Sequence, residues 1–395
     1  MPTLTQARPG TGNGAPARLL SLPLALAFAA EFTSLTSFFL LLSVLPMLAA
    51  AAGASSSGAG LVTGSLLLGT VIAEAAAAAG IRRFGYRAML AAGAVLLGVP
   101  ALALIPHEHP AVMMGISFVR GLGFGLCGVT TSALAATLLP PERRGEGLGL
   151  LGIVSGVPAV IALPAGVWLA GHHLAAAAAA MAAAAGLLPL ATIRWLPGRS
   201  QAGRTPPGPH TRRTPGTALR IPLIFAAATI AAGVLDSFLP LVKGMSSNLC
   251  SAALLVQAIT ATLTRWQAGR YGDRHGHARL LTPALIVAAL GLTAMLGLAS
   301  PVLILAGMML FGAGFGVLEN TTFALLIEQL PEAKASALWN FAYDAGYGAG
   351  PAVFGLFAAR TGYPAAFALT GILVLAVLPA AMRERKAADG TTRPA

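Results

Sequence analysis

The stretch GRYGDRHGHARLL (residues 269–281) sets one acid, three arginines, two histidines and three glycines between two apolar runs, LVQAITATL (255–263) and TPALIVAALGLTAML (282–296). A short polar knot between long apolar segments reads as a hairpin between two helices. It has a counterpart in AAGIRRFGYRAML (78–90) at a constant offset of 191 residues, which lays Gly276 on Gly85, Arg274 on Arg83 and Leu281 on Leu90. The same offset lays RGLGFGL (120–126) on FGAGFGV (311–317). The chain therefore repeats itself once, with the second copy beginning near its middle.

Composition names the solvent. The 395 residues are 56% hydrophobic and 10% charged, with a mean hydropathy of +0.78. A soluble domain carries roughly 25% charged residues, so the expected surroundings are a lipid bilayer. A crossing helix takes about 20 mostly apolar residues. Twelve runs meet that length, at residues 20–48, 58–80, 87–106, 111–138, 147–171, 174–195, 221–243, 250–270, 280–300, 302–329, 335–359 and 362–382. They lack the alternation of membrane strands and are far too long for them. Cys127 and Cys250 lie inside apolar runs and read as small core residues.

Residues 1–18 read as a disordered cytoplasmic tail, and the first run is too long for a signal-peptide core. The Pro-, Gly- and Arg-rich segment 197–220 reads as a flexible cytoplasmic linker. It divides the chain into six-helix halves, 19–196 and 221–383, followed by a tail at 384–395.

The net charge of +12 is a topology signal rather than a nucleic-acid footprint. With both termini cytoplasmic, the inner segments hold Arg82, Arg83, Arg87, Arg143, Arg144, Arg194, Arg270, Arg274, Arg279 and the linker arginines, while the outer segments hold only Lys243 and Arg360. That asymmetry matches the positive-inside rule for an even number of spans.

These residues carry a resemblance. GRYGDRHGHAR is similar to the G-x-x-x-D-R-x-G-x-x-R signature that the major facilitator superfamily places between helices 2 and 3, and often again between 8 and 9. FVRGLGFG (118–125) resembles its helix-4 motif, and PPERRGEGLGLLG (140–152) its 4–5 loop. SGVPAVIALPAGVW (155–168) is a degraded version of the helix-5 motif of the drug/proton antiporter branch. The resemblance implies an all-α membrane protein of twelve transmembrane helices, in two pseudo-symmetric six-helix bundles. It implies a substrate site at their interface near the midplane, reached from alternate sides.

The resemblance also makes Gly269, Asp273, Arg274, Gly276 and Arg279, with Arg83, Gly85 and Arg87 in the first half, a gating motif. Asp273 would latch the cytoplasmic face in the outward-facing state. Physically, the glycines allow tight turning, and Asp273 is suited to accept from backbone N–H groups at a neighbouring helix N-terminus. Arg82 stands where the first copy would carry the acid, so an asymmetric gate is expected.

Ionisable groups inside spans are expensive and are functional candidates by default. Here they are Glu31, Glu74, Arg120, Asp236, Arg265, Glu319 and Asp344. At 1.5 Å per residue, Glu31 lies about 17 Å along the first run from inside and Arg120 about 14 Å along the fourth from outside. Both depths fall near the midplane, so they are expected beside one cavity, with Glu31 as a proton carrier tuned by Arg120. The rival reading has Arg120 bracing helices through backbone carbonyls. Asp344 lies about 14 Å from the inner end of its run. Asn340, Asp344 and Gly348 share one helix face, with Tyr343 and Tyr347 as a second pair. Glu74 and Arg265 are related by the 191 offset and suit gating or packing.

The glycine runs echo dinucleotide-binding loops, but no strand–turn–helix context surrounds them. No Walker A sequence, catalytic triad or metal-ligand spacing is visible, so no enzyme, metal or cofactor is expected. The expected function is proton-coupled efflux of a small, partly apolar compound, by a monomer in a bacterial plasma (inner) membrane. Proton-coupled uptake of a nutrient is the alternative.

Overall fold

A computed structural model describes residues 21–104, 109–139, 144–198 and 219–391. The N-terminal tail, most of the linker (199–218), residues 140–143 of the 4–5 loop and the last four residues lie outside that description. Among the described residues there is no strand. The helices are α1 (Leu22–Leu42) continued by α2 (Val44–Ala51), α3 (Ser56–Leu102), α4 (Pro110–Leu138), α5 (Arg144–Gly171), α6 (Ala175–Leu187), α7 (Arg220–Phe238), α8 (Ser247–His275), α9 (Ala278–Ala294), α10 (Pro301–Gln329), α11 (Glu332–Thr361), α12 (Tyr363–Ala376) and α13 (Leu378–Thr391).

Helix starts repeat at the offset of 191. Ser55 and Ser246 cap α3 and α8, each accepting the backbone N–H three residues on. Proline opens both α4 and α10, where its missing N–H costs nothing. Each cap satisfies a donor that lipid could not.

The 47-residue α3 would run about 70 Å if straight, more than twice the hydrocarbon thickness. It does not run straight. Gly85 takes φ 83°, ψ 169°, a conformation open to glycine, and breaks the helix into two arms. Thr70 on the first arm donates to Gly121 O at 3.3 Å, and Leu97 on the second accepts from the neighbouring Arg120 at 2.7 Å. Those two positions would lie about 40 Å apart on a straight helix. The chain therefore reverses at Gly85, and α4 packs on both arms. Its repeat partner Gly276, at φ 89°, ends α8 in the same way before α9 begins.

Three glycines per half set how closely these helices approach. A Cβ on Gly121 would strike Leu66 O, and one on Gly312 would strike Gln257 O. On Gly125 and Gly316 it would strike Thr70 O and Ala261 O. On Gly123 it would fall 2.7 Å from Gly93 O, and on Gly314 2.5 Å from Ala284 O. Every partner pair is again 191 residues apart. The internal repeat is thus a repeat of backbone-to-backbone contacts, in which α4 wedges between the arms of α3 as α10 wedges between α8 and α9.

Ten segments among the described residues are long and apolar enough to cross a membrane. Twelve spans follow only if α3 is divided at Gly85 and the more polar α11 is included. Within the segment expected as a tail, 384–395, α13 continues to Thr391. Glu384, buried to 4% exposure, draws that end inward by pairing with Arg220 at 3.5 Å.

The bundles meet chiefly through the first arm of α3 against α11 and through α5 against α8. At the arginine-poor end the contact is tight. A Cβ on Gly60 would strike Pro351 O, one on Gly355 would strike Ser56 O, and one on Gly171 would strike the Ser247 side chain. Thr63 and Ser237 hydroxyls lie 3.0 Å apart, and those of Ser56 and Tyr363 3.3 Å apart. On α5 toward the arginine-rich end, nothing lies within 4 Å of a Cβ on Gly156 or Gly152.

Alanine tests the ladder. Gly121→Ala and Gly312→Ala are each expected to destabilise the protein by roughly 1–3 kcal/mol through overpacking. Gly128→Ala, with nothing within 4 Å of its Cβ, is expected to be neutral or mildly stabilising. Thermal unfolding in detergent, followed by loss of the monodisperse peak, measures all three.

Candidate functional site

Arg120 is the largest fully buried side chain among the described residues. Its guanidinium donates to Leu97 O on the second arm of α3 at 2.7 Å and to Ser37 O on α1 at 2.8 Å. It thereby ties three helices together through backbone carbonyls, the bracing role. Its repeat partner, Phe311, is equally buried and apolar, so the polar brace belongs to the first bundle alone.

Glu31 is not beside it. Its carboxylate accepts from Thr131 Oγ1, eleven residues along α4 from Arg120. Ser37, which Arg120 reaches, lies about 9 Å further along α1 than Glu31. Glu31 and Arg120 therefore lie apart along α1 and α4 rather than side by side. Depth counted from opposite helix ends misled, because α1 with α2 and α4 are each about 45 Å long and overhang a 30 Å core.

The second bundle gathers most of the other polar groups. Asp236, on α7, accepts from the Tyr347 hydroxyl through Oδ2, while Oδ1 has no partner. Ser43 Oγ, from the other bundle, donates to the Asp236 carbonyl. Arg265 on α8 pairs with Glu319 on α10 at 3.8 Å. Gln257 Oε1 and Asn320 Oδ1 are buried without partners. Along α11, Trp339, Tyr343 and Tyr347 form an aromatic column, with ring centroids 5.7 and 5.5 Å apart. Phe225 stacks on Trp339 at 4.6 Å, and the Trp339 indole donates to Thr322 Oγ1 at 3.1 Å. The first bundle offers a stacked pair, Phe38 and Phe124, at 4.0 Å.

Asp344 is buried, with Glu74 on the first arm of α3 as an acidic neighbour. Gly348, on the same face, packs against Leu67, whereas Asn340, one turn the other way, is exposed. The three residues of the expected α11 stripe do not share one environment: two are buried toward α3 and the third is exposed. Sequence reasoning missed Gln257 and Trp339. The signal for Trp339 was its i, i+4 spacing from Tyr343.

The gating residues sit at the arginine-rich end. Arg87 Nε donates to Leu196 O at 2.6 Å, and the Arg83 guanidinium lies 5.2 Å from the Phe84 ring. Gly269 faces Asn320, with 3.3 Å between its would-be Cβ and the amide nitrogen. Arg274 and Arg279 are exposed. Asp273 does not cap a neighbouring helix in this conformer. Its side chain is 76% exposed and lies 3.7 Å from His277, whose other ring nitrogen is 3.4 Å from Glu328.

A repeated pair of helical bundles, sealed at one end and lined with buried polar and aromatic groups at their junction, defines a membrane transporter rather than an enzyme. The Major Facilitator Superfamily model matches residues 27–337 and 223–395, and the chain belongs to that superfamily, whose members carry small-molecule substrates. It is 27% identical over 348 residues to an uncharacterized MFS-type transporter of Yersinia pestis, covering 86% of this chain and 89% of that one. It is 25% identical over 358 residues to an uncharacterized MFS-type transporter of Mycobacterium tuberculosis, covering 85% and 79%. Among solved structures it resembles the nucleoside transporter NupG, with a TM-score of 0.70 at 12% identity, covering 93% of this chain and 100% of that one.

If Arg120 is a brace, Arg120→Met strands two buried carbonyls and is expected to cost roughly 2–4 kcal/mol of stability. Glu31→Gln keeps an acceptor for Thr131 and is expected to change stability by less than about 1 kcal/mol. Thermal unfolding of both variants in one detergent separates brace from carrier.

Proposed function

We propose that this chain is a secondary active transporter that exports a small, partly apolar compound in exchange for protons. The observation that carries this reading is the charge balance inside the spans. Glu31, Glu74, Asp236, Glu319 and Asp344 stand against Arg120 and Arg265. Arg120 is engaged with carbonyls and Arg265 with Glu319, which leaves acids without cations. An uncompensated buried carboxylate is costly, so such acids call for protons or for a cationic, donor-rich cargo. The aromatic column on α11 and the Phe38–Phe124 pair supply the apolar surfaces.

The positive-inside rule makes the arginine-rich end cytoplasmic, with both termini there, in a bacterial inner membrane. The seal at the arginine-poor end then makes this conformer inward-facing. Transport is a rocking of the two six-helix halves, 19–196 and 221–383, about the midplane, with the 197–220 linker on the cytoplasmic side and the protein a monomer. Asp273, exposed here, engages when the cytoplasmic end closes.

Uptake by proton symport is the second reading. It is favoured by the unpartnered Gln257 and Asn320 acceptors on α8 and α10 and by the fold shared with a nucleoside transporter. Inverted vesicles acidified inside distinguish the two. Export predicts accumulation of candidate compounds, abolished by a protonophore. Uptake predicts none. Asp273→Asn is expected to slow the flux several-fold without altering substrate range, and normal flux would reduce the motif to a topology anchor.

A further inference from the structure

We propose that His277, held between Asp273 and Glu328, is a proton-operated clasp through which pH at the arginine-rich end regulates closure of that end. The site is assembled from three helices. Asp273 lies near the C-terminus of α8, His277 stands immediately before α9, and Glu328 lies in the last turn of α10. His277 Nε2 is 3.7 Å from Asp273 Oδ1, and Nδ1 is 3.4 Å from Glu328 Oε1. The imidazole is 11% exposed, against 76% and 58% for the two acids.

The local backbone builds this position. Gly276, at φ 89°, turns the chain so that His277 precedes α9, yet the ring makes no cap bond there. It folds back over α8 instead. A Cβ on Gly272 would strike its Cδ2 and fall 2.6 Å from its Nε2, so glycine leaves the ring its place. The 191-residue offset shows that the fold does not require the arrangement. In the first bundle Ile81, Arg82, Tyr86 and Thr137 stand at the positions of Gly272, Asp273, His277 and Glu328.

The geometry suits a charged ring. A neutral imidazole donates from one nitrogen and accepts at the other, whereas the imidazolium donates from both. With a carboxylate beside each nitrogen, the neutral ring turns a lone pair toward one of them. Both acids also lie at helix C-termini, where negative charge is disfavoured and a neighbouring cation is welcome. The N-terminus of α9 opposes that cation, and the second carboxylate offsets the opposition.

Other charges surround the clasp. On α8 Arg270 lies over Trp266 and His275 stacks on Tyr271, with Arg274 exposed beside them. Arg279 follows on α9, and Glu319 on α10 pairs with Arg265. Helix α5, packed on α8, begins with Arg144 and Glu146, and α11 begins with Glu332 and Lys334. Helix α13, packed on α9, carries Arg383, Arg385 and Lys386, with Glu384 paired to Arg220. These charges bear on the pH at which the ring switches, and the contacts to Asp273 and Glu328 on what the switch does.

Imidazole is the side chain whose charge ordinarily changes between about pH 5 and 8. With the proton on, His277 ties Asp273 to its own hairpin and draws the end of α10 against it. With the proton gone, both acids are released. This rests on the reading of Asp273 as the acid that engages when the arginine-rich end closes. An acidic arginine-rich side then withholds Asp273 and slows closure, a brake suited to a transporter that admits protons to that side.

Spin labels on His275→Cys and Ile327→Cys, both exposed, report the gap between α8 and α10 in nanodiscs; the native Cys127 and Cys250 are buried. The first substitution also removes the second imidazole of the hairpin. A short, narrow distance is expected at about pH 6 and a longer, broader one at about pH 8. The ratio of the two populations is expected to change up to about tenfold per pH unit as one proton leaves. His277→Gln, which like the neutral ring donates from one end only, is expected to lose the step and stay broad. Glu328→Gln is expected to shrink it. A flat profile in the labelled parent, or an unchanged step in either variant, would overturn the clasp. Flux in inverted vesicles, at one fixed pH difference across the membrane, reads the regulation. Lowering the bath from about pH 8 to about pH 6 is expected to slow the parent several-fold and His277→Gln much less. Equal slowing would overturn the regulatory role. Because no substrate enters the distance measurement, an intact step without export counts against export alone, and export without a step against the clasp alone.

Discussion

In a bilayer, two helices gain nothing by hiding apolar side chains from each other, since lipid tails are as apolar as leucine. What holds them is close contact, and the closest contact available is backbone against backbone. Gly121, Gly123 and Gly125 bring α4 against both arms of α3, and Gly312, Gly314 and Gly316 do the same for α10. Everything else depends on these two ladders. They lock backbone to backbone within each bundle, while Gly60, Gly348 and Gly355 form a second set of contacts at the junction between bundles.

Rigid bundles let a few polar groups act over long distances. Arg120 adds a charged brace inside the first bundle by satisfying carbonyls of α1 and α3, and Phe311 occupies the equivalent place in the second. The repeat is therefore structural and not chemical. Its divergence puts the brace in one half and the aromatic column, Asp236 and the Arg265–Glu319 pair in the other. Glu74 and Asp344 lie on two of the helices, α3 and α11, through which the bundles meet.

The ladder and the hairpins were legible in the sequence because the 191-residue offset preserves both the glycines and the backbone they permit. Gly85 and Gly276 show it most plainly, aligned in sequence and alike in positive φ. The site was less legible for geometric reasons. Depth along one helix does not fix depth along another of different overhang, which is why Glu31 and Arg120 were expected together and lie apart. The meeting of Glu74 with Asp344 needs the register between helices 270 residues apart in the chain, and no local periodicity carries that. Nor did the basic run RERK (383–386) reveal that α13 continues through it, held inward by the Arg220–Glu384 pair.

The proposal that this conformer faces inward requires the junction between bundles to open toward the arginine-rich end while the far side stays sealed. Asn340 is exposed near that end, and both native cysteines are buried. Labelling Asn340→Cys with a membrane-impermeant thiol reagent in vesicles of known orientation tests the claim most directly. The account predicts rapid labelling in inverted vesicles and protection in right-side-out ones, whereas labelling confined to right-side-out vesicles would contradict it.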